Sequence, residues 1–508
     1  MKNKTVWAVG LAVVLLTQGP YWAAAASAGS GSAFGGFLFN PIDGNSYLAK
    51  MYEGWAGSWQ FTLPFTVNPG SGSYLFLYYL FLGHVARWLH LPLLFVFHFA
   101  RAVGTLLMVL SCAAFWRRAF SKPSLQRDAF FLSSFGAGLG WLAYPLFSRL
   151  TPDLWVAEAY PILAAYANPH FPLAIAILLW IFTRALEPGG LRTWAVVGAA
   201  SFILGLLLPF GVVIAGAVLA VLFAWKALAK HDLDLLPYLI SAGVMGAIPI
   251  LYELYQTQVN PTLAAWNAQN ITPAPAPADF AIGFLPAILL ALTGILRKAK
   301  FQEPGEILLG GWVLAGLALV YLPLSLQRRF MIGWMIPISG LAALGLDFIR
   351  DMGARPARIV LAACLMVSVI TPLMVILSSA HAIQTRDPAV YLMPGEKEAF
   401  EWIQTSTPPN SIIAAAPKTG LLIPAYTGRR VIYGHPFETV QAEKEKTWVE
   451  NLYQTGGNGP ALSRLISSRP IDYVFFGPRE AQLGTLTPVP GLLKVYDADG
   501  VQIYRHIQ

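Results

Sequence analysis

Apolar residues recur along this chain in runs long enough to cross a bilayer, at 6–26, 74–90, 92–116, 128–148, 171–186, 193–209, 210–229, 236–255, 280–297, 306–323, 331–349 and 357–379. A helical crossing of the hydrocarbon core takes about 20 residues. In lipid each crossing must satisfy its own backbone hydrogen bonds, so these runs have to be helices. Composition agrees. The 508 residues are 56% hydrophobic and 12% charged, against roughly 25% charged in a soluble domain, and mean hydropathy is +0.56. The chain reads as an α-helical polytopic membrane protein.

The net charge of +8 lies in the first part of the chain. From Arg386 onward 12 Lys/Arg balance 12 Asp/Glu, which leaves 22 basic and 14 acidic residues in 1–385. The surplus sits at helix ends: Arg117, Arg118, Lys122 and Arg127; Arg184 and Arg192; Lys226 and Lys230; Arg297, Lys298 and Lys300; Arg350, Arg355 and Arg358. That is the signature of orientation by the positive-inside rule, not of nucleic-acid binding. Cys112 and Cys364 lie inside apolar runs and read as buried hydrophobes, with no disulfide framework or zinc spacing.

Lys2 and Lys4 precede the apolar run Val6–Leu16, and Ala23–Ala28 has the small residues of a signal-peptidase site. A first transmembrane helix reaching Ala26 is preferred, because so many spans follow. With the N-terminus and Arg117-Arg118 both inside, 92–116 must run inward and 74–90 cannot cross. The latter carries His84, Arg87 and His90 among aromatic residues, a composition suited to an interfacial helix. Parity then gives about eleven crossings, or twelve to thirteen with a hidden pair, and a C-terminus outside the cytoplasm. The expected division is a transmembrane domain over 1–380, with interfacial helices in its first outer loop at 27–90, and an extracytoplasmic α/β domain over 381–508. In that domain Glu396–Gln404 and Val440–Tyr453 read as helices. Ser411–Ala415, Arg430–Tyr433, Ile471–Phe476, Leu492–Tyr496 and Val501–Tyr504 read as strands.

The outer loops hold the chemistry. Asp43, just after the first span, can act as a base toward a hydroxyl or hold a divalent metal; it also suits a helix N-cap. Glu53, about three helical turns on, reads as a surface charge beside Lys50. In the second loop Asp153 follows Thr151-Pro152 as a first-turn acid, Glu158 follows it, and His170 starts the next span, where it can bind phosphate. Arg101 lies within a span and needs a partner, for which Asp43, Glu158 or a substrate phosphate are candidates. Arg328 and Arg329 fall on the outer side, against the charge trend, where they suit a lipid phosphate or headgroup.

This order of elements resembles the GT-C superfamily of membrane glycosyltransferases. Members show a first span, a long outer loop with an essential acid, interfacial helices, further acids in a second outer loop and often an extracytoplasmic C-terminal domain. Asp43 matches the first-loop acid, Asp153 and Glu158 fall where second-loop acids occur, and Arg117-Arg118 occupies the basic turn after the second span. Asp43 is followed by Gly44 where many members carry a second acid, and neither a His-Pro-Pro nor a Trp-Trp-Asp motif is present.

The resemblance implies inverting transfer of a sugar from a polyprenyl-phosphate donor to a cell-envelope glycan, lipid or protein acceptor. The location would be the plasma (inner) membrane. Asp43 would be the base. Arg101, Asp153, Glu158, His170, Arg328 and Arg329 would bind substrate, and Mg or Mn, if used, would sit on Asp43, Asp153 and Glu158. A lipid or glycan flippase and a non-catalytic envelope-binding protein are the alternatives.

Overall fold

Proline at the first helical position opens many of the helices, Pro41, Pro123, Pro209, Pro261 and Pro304 among them. Its fixed φ and missing N–H cost nothing there. The computed structural model describes residues 2–29, 32–187, 189–298 and 300–507. Among the described residues seven helices are long and apolar enough to cross a membrane: Asn3–Ala26, Leu93–Ala119, Pro123–Phe147, Pro209–Lys230, Leu236–Val259, Pro304–Tyr321 and Ala354–Thr385. Pro277–Gly283 and Ala287–Arg297, bent by 91° at their junction, form an eighth if taken as one broken span. The remaining expected crossings are the helices His170–Ala185, Leu191–Leu207 and Met335–Met352. Leu228, Leu296, Leu314 and Leu377 are exposed on these helices, as a lipid-facing surface requires. The chain is a multi-pass membrane protein.

The chain forms two compact units. The first comprises Met1–Pro20, His98–Tyr252 and Ile271–Ser379. Ion pairs hold its charged helix ends: Lys122 with Asp347 at 2.6 Å, Arg350 with Asp347 at 2.9 Å, and Arg350 with Asp128. Arg101 is fully buried in this unit and donates to Gln18 Oε1 at 2.6 Å and to the carbonyl of Tyr166.

The second unit gathers three stretches far apart in sequence: Tyr21–Phe97, Glu253–Asn270 and Ala380–Gln508. The run 74–90 becomes the helix Leu77–Leu89, of 13 residues. At 1.5 Å per residue it is roughly 20 Å long, too short for a bilayer core of about 30 Å. It crosses the helix Pro41–Ala56 where Gly83 meets Gly54. A Cβ on Gly54 would lie 2.1 Å from the Leu80 carbonyl oxygen, and one on Gly83 would lie 2.0 Å from that of Met51. Only glycine lets the two backbones pack this closely.

Short strands β1 (Ala33–Phe34) and β2 (Tyr391–Leu392) pair antiparallel. Beyond them lie β3 (Ile412–Ala414), β4 (Arg430–Val431), β5 (Tyr473–Phe476), β6 (Leu492–Ala498) and β7 (Val501–His506). They form one mixed sheet in the order β4-β3-β5-β7-β6. β3 runs parallel to β4 and β5, and β7 is antiparallel to β5 and β6. The helix Ala442–Gln454 covers it, burying Trp448, Val449, Leu452 and Tyr453 against Ile412, Ala414, Val474 and Tyr504. This is the expected α/β arrangement, with each strand within a few residues of its expected place.

Candidate functional site

Asp43, Ser46, Tyr47 and Lys50 stand three, four and seven positions apart on the helix Pro41–Ala56, so one helix face carries all four. Asn40, in the left-handed conformation at φ 45°, caps this helix. Its Nδ2 donates to Asp43 Oδ2 at 2.6 Å. Asp43 is thus both a first-turn acid and a fixed carboxylate. Its side chain is 31% exposed. The lone acid has a steric cause: a Cβ on Gly44 would sit 2.4 Å from the Phe37 ring, so position 44 has no room for a second carboxylate.

Lys50 is fully buried. An unpaired ammonium in that position would cost several kcal/mol. Its Nζ lies 2.8 Å from Glu438 Oε1 and 2.5 Å from Ser46 Oγ, and 4.4 Å from the centre of the Phe76 ring. Ser46 Oγ donates to the same Glu438 oxygen at 2.6 Å. Burial opposes charge on Glu438, but the Lys50 ammonium and the Lys50 and Ser46 hydrogen bonds outweigh it and hold its carboxyl below the usual value.

Glu438 belongs to the loop Gly434–Thr439, which folds on itself. His435 Nδ1 accepts from the backbone N–H groups of Phe437 and Glu438, both at 3.1 Å. Thr439 Oγ1 accepts from those of Gly434 and His435. Gln269 Nε2 braces the loop by donating to the carbonyls of Phe437 at 2.9 Å and Thr439 at 2.6 Å. His435 Nε2 then lies 3.8 Å from Asp43 Oδ1.

Glu53 is not the surface charge the sequence suggested. Its carboxylate accepts from Thr62 Oγ1 at 2.6 Å and from the Thr62 N–H. Burial pushes its carboxyl up to about 7, against those hydrogen bonds and the charge of Lys50. His435, Glu438 and the role of Lys50 escaped the sequence reading. The available signal was Lys50 itself: a lysine one helical face along from Asp43, among aromatic residues, needs a buried acid.

The other candidates lie in the first unit. Asp153 is fully buried. It accepts from the N–H groups of Gly138 at 3.1 Å and Gly140 at 2.9 Å, and from Thr151 Oγ1 at 2.6 Å. Glu158, also buried, is approached by Arg329 Nη1 at 3.5 Å and Arg328 Nε at 4.0 Å. The Arg328 guanidinium stacks 4.4 Å from the centre of the Trp155 ring. Backbone bonds fix this corner: Gly333 N–H donates to the Glu158 carbonyl and Arg328 N–H to that of Thr272. Two guanidinium groups on one carboxylate leave one positive charge in surplus among these three side chains, the balance an anion site needs. His170 is buried at the start of its helix against Phe171, with ring centres 4.0 Å apart.

Among the described residues no group of three or more His, Cys, Asp or Glu side chains gathers where it could hold a metal ion. Among the described residues Asp43, Asp153 and Glu158, expected to hold Mg or Mn, form no such group.

Comparison of the sequence with family models and with curated proteins gives no match. Comparison of the fold with solved structures does. The Archaeoglobus fulgidus oligosaccharyltransferase in its apo form aligns at a TM-score of 0.56 and 14% identity, covering 100% of this chain and 75% of that one. The same enzyme with an inhibitory peptide and a dolichol-phosphate aligns at 0.54, with 14% identity and the same coverage. ArnT from Cupriavidus metallidurans bound to undecaprenyl phosphate aligns at 0.52 and 14% identity, over 100% of this chain and 99% of that one. With its long apolar helices and C-terminal α/β domain, this chain has the fold of these solved structures, the order of elements expected from its resemblance to the GT-C pattern.

Proposed function

We propose that this protein is an inverting glycosyltransferase that moves a sugar from a polyprenyl-phosphate carrier to an acceptor hydroxyl on the extracytoplasmic side of the plasma membrane. The observation that carries this reading is the state of Asp43. Of the three outer acids it alone keeps a substantially exposed carboxylate, 31% against 4% for Glu158, while Asp153 is fully enclosed. It sits on a capped helix with one oxygen already oriented by Asn40. The solved structures of similar fold include one complex with a dolichol-phosphate and one with undecaprenyl phosphate, which supports a lipid-phosphate donor. One is tethered to an acceptor peptide and one is a complex with Zn and sulfate.

In the reaction the acceptor oxygen forms a bond to the anomeric carbon from the face opposite the phosphate. The bond between that carbon and the phosphate oxygen breaks, its electron pair leaving with the lipid phosphate. The acceptor proton passes to Asp43. Arg328 and Arg329 stabilise the charge that develops on the phosphate, and Glu158 orients them. Arg101, Asp153 and His170, each buried within the first unit, serve as its framework.

The test is sugar transfer in proteoliposomes. If the reading holds, Asp43→Asn abolishes transfer from radiolabelled undecaprenyl-phosphate sugars and Arg328→Ala lowers it by about 10²-fold. Full transfer by both variants overturns this mechanism, whereas translocation of labelled lipid by the wild-type protein without any covalent transfer favours the flippase.

A further inference from the structure

His435 is 2% exposed, and its two ring nitrogens have different surroundings. Nδ1 accepts two backbone N–H groups, from Phe437 and Glu438. A neutral imidazole carries its single proton on the other nitrogen when the first accepts. The proton is therefore on Nε2. That N–H is buried and meets no hydrogen-bond partner among the described residues, and Asp43 Oδ1 lies 3.8 Å away. A buried donor left unmade costs about 1–3 kcal/mol.

We infer that His435 is the positioning residue for Asp43. Its Nε2–H closes on Asp43 Oδ1 when substrate is bound, so that Asn40 holds one carboxylate oxygen and His435 the other. With both oxygens held, the lone pair that takes the acceptor proton has a fixed direction. The 3.8 Å gap is beyond hydrogen-bond range, but catalytic hydrogen bonds are often long until substrate tightens them. His435 does not touch the reacting atoms in this arrangement; it acts through Asp43. The inference rests on the reading of Asp43 as the base.

The loop geometry supplies a clean pair of variants. In His435→Asn the side-chain Oδ1 takes the place of Nδ1 and keeps the acceptor for Phe437 and Glu438 N–H, while the donor toward Asp43 is lost. In His435→Gln the longer amide restores an N–H near the Nε2 position. Purified full-length variants in proteoliposomes are given undecaprenyl-phosphate-linked hexoses and pentoses, radiolabelled in the sugar, and kcat and KM for the lipid donor are measured separately. His435→Asn should keep the wild-type melting temperature and KM but lower kcat by about 10–100-fold, the scale of a misplaced catalytic group. His435→Gln should recover much of that loss. Unchanged kcat in His435→Asn, with Asp43→Asn inactive in the same assay, overturns the inference and leaves the base intact. Equal loss in the Asn and Gln variants with a lowered melting temperature also overturns it, since that is the pattern of a purely structural residue. Full activity of Asp43→Asn overturns both readings together.

Discussion

Lys50 Nζ and Glu438 Oε1 meet at 2.8 Å although 388 residues separate them in the chain. Both side chains are almost fully enclosed. The pair ties the helix that bears Asp43 to the loop that bears His435, so its integrity sets the geometry of both.

Breaking one side of this pair should be costly. Lys50→Met leaves Glu438 ionised and enclosed, and loss of one partner of a buried pair costs about 3–5 kcal/mol. The melting temperature of the detergent-solubilised variant should fall sharply, and adding Glu438→Leu should recover most of the loss. A double variant no better than Lys50→Met would show that the charges matter separately. The sign of the pH effect follows. The folded Glu438 carboxyl is held below its ordinary value of 4.5. Its contribution is therefore present above about pH 4.5 and lost as pH falls below it.

Glu53 should behave in the opposite sense. Its folded carboxyl is pushed up to about 7 from 4.5, so the folded state binds the proton more tightly than the unfolded chain. Stability therefore declines as pH rises from 4.5 toward 7. Glu53→Gln, which still accepts from the Thr62 N–H, should flatten the melting temperature across that window. It should equal or exceed wild type at pH 8. A melting curve as pH-dependent as wild type would assign the effect to another group.

Arg328 and Arg329 should act on the lipid phosphate. Replacing either by Ala should reduce transfer by about 10²-fold, as removal of a single donor to developing charge does. The loss should be larger for Arg328→Lys than for Arg329→Lys, because the planar guanidinium of Arg328 also stacks on Trp155. Equal activity of Arg328→Lys and wild type would show that point charge suffices.

Gly44 tests why this chain has a single acid at the site. Gly44→Asp drives a Cβ into the Phe37 ring, 2.4 Å away. Overpacking of this kind costs about 1–3 kcal/mol, and the measured drop in melting temperature should be relieved by Phe37→Ala. No relief would locate the clash elsewhere.

The membrane helices were legible because lipid leaves only one way to satisfy a backbone. Period and turn chemistry were enough for β5, β6 and β7, where alternation ends at Asp497–Gly500. Asp43 was legible as an acid with two roles, cap and candidate base; the cap is instead Asn40, and Asp43 stands in the first turn of the helix. The partners were not legible. Nothing local marks His435 or Glu438 as neighbours of a helix near the other end of the chain, and Glu53 looked solvated because Thr62 comes to it only after the loop folds back. Arg101 shows the same limit: its need for a partner was evident, but Gln18 Oε1 and a backbone carbonyl are neutral acceptors that charge counting does not find.

The separation of Lys50 from Glu438 has a consequence for how the protein comes into being. A ribosome delivers the Asp43 helix early and the acid that Lys50 pairs with 388 residues later. Until residues 434–439 emerge, Lys50 has no buried acid to meet, and its helix cannot settle in its final form. A chain cut short before Glu438 would keep the Asp43 helix in a half-made state.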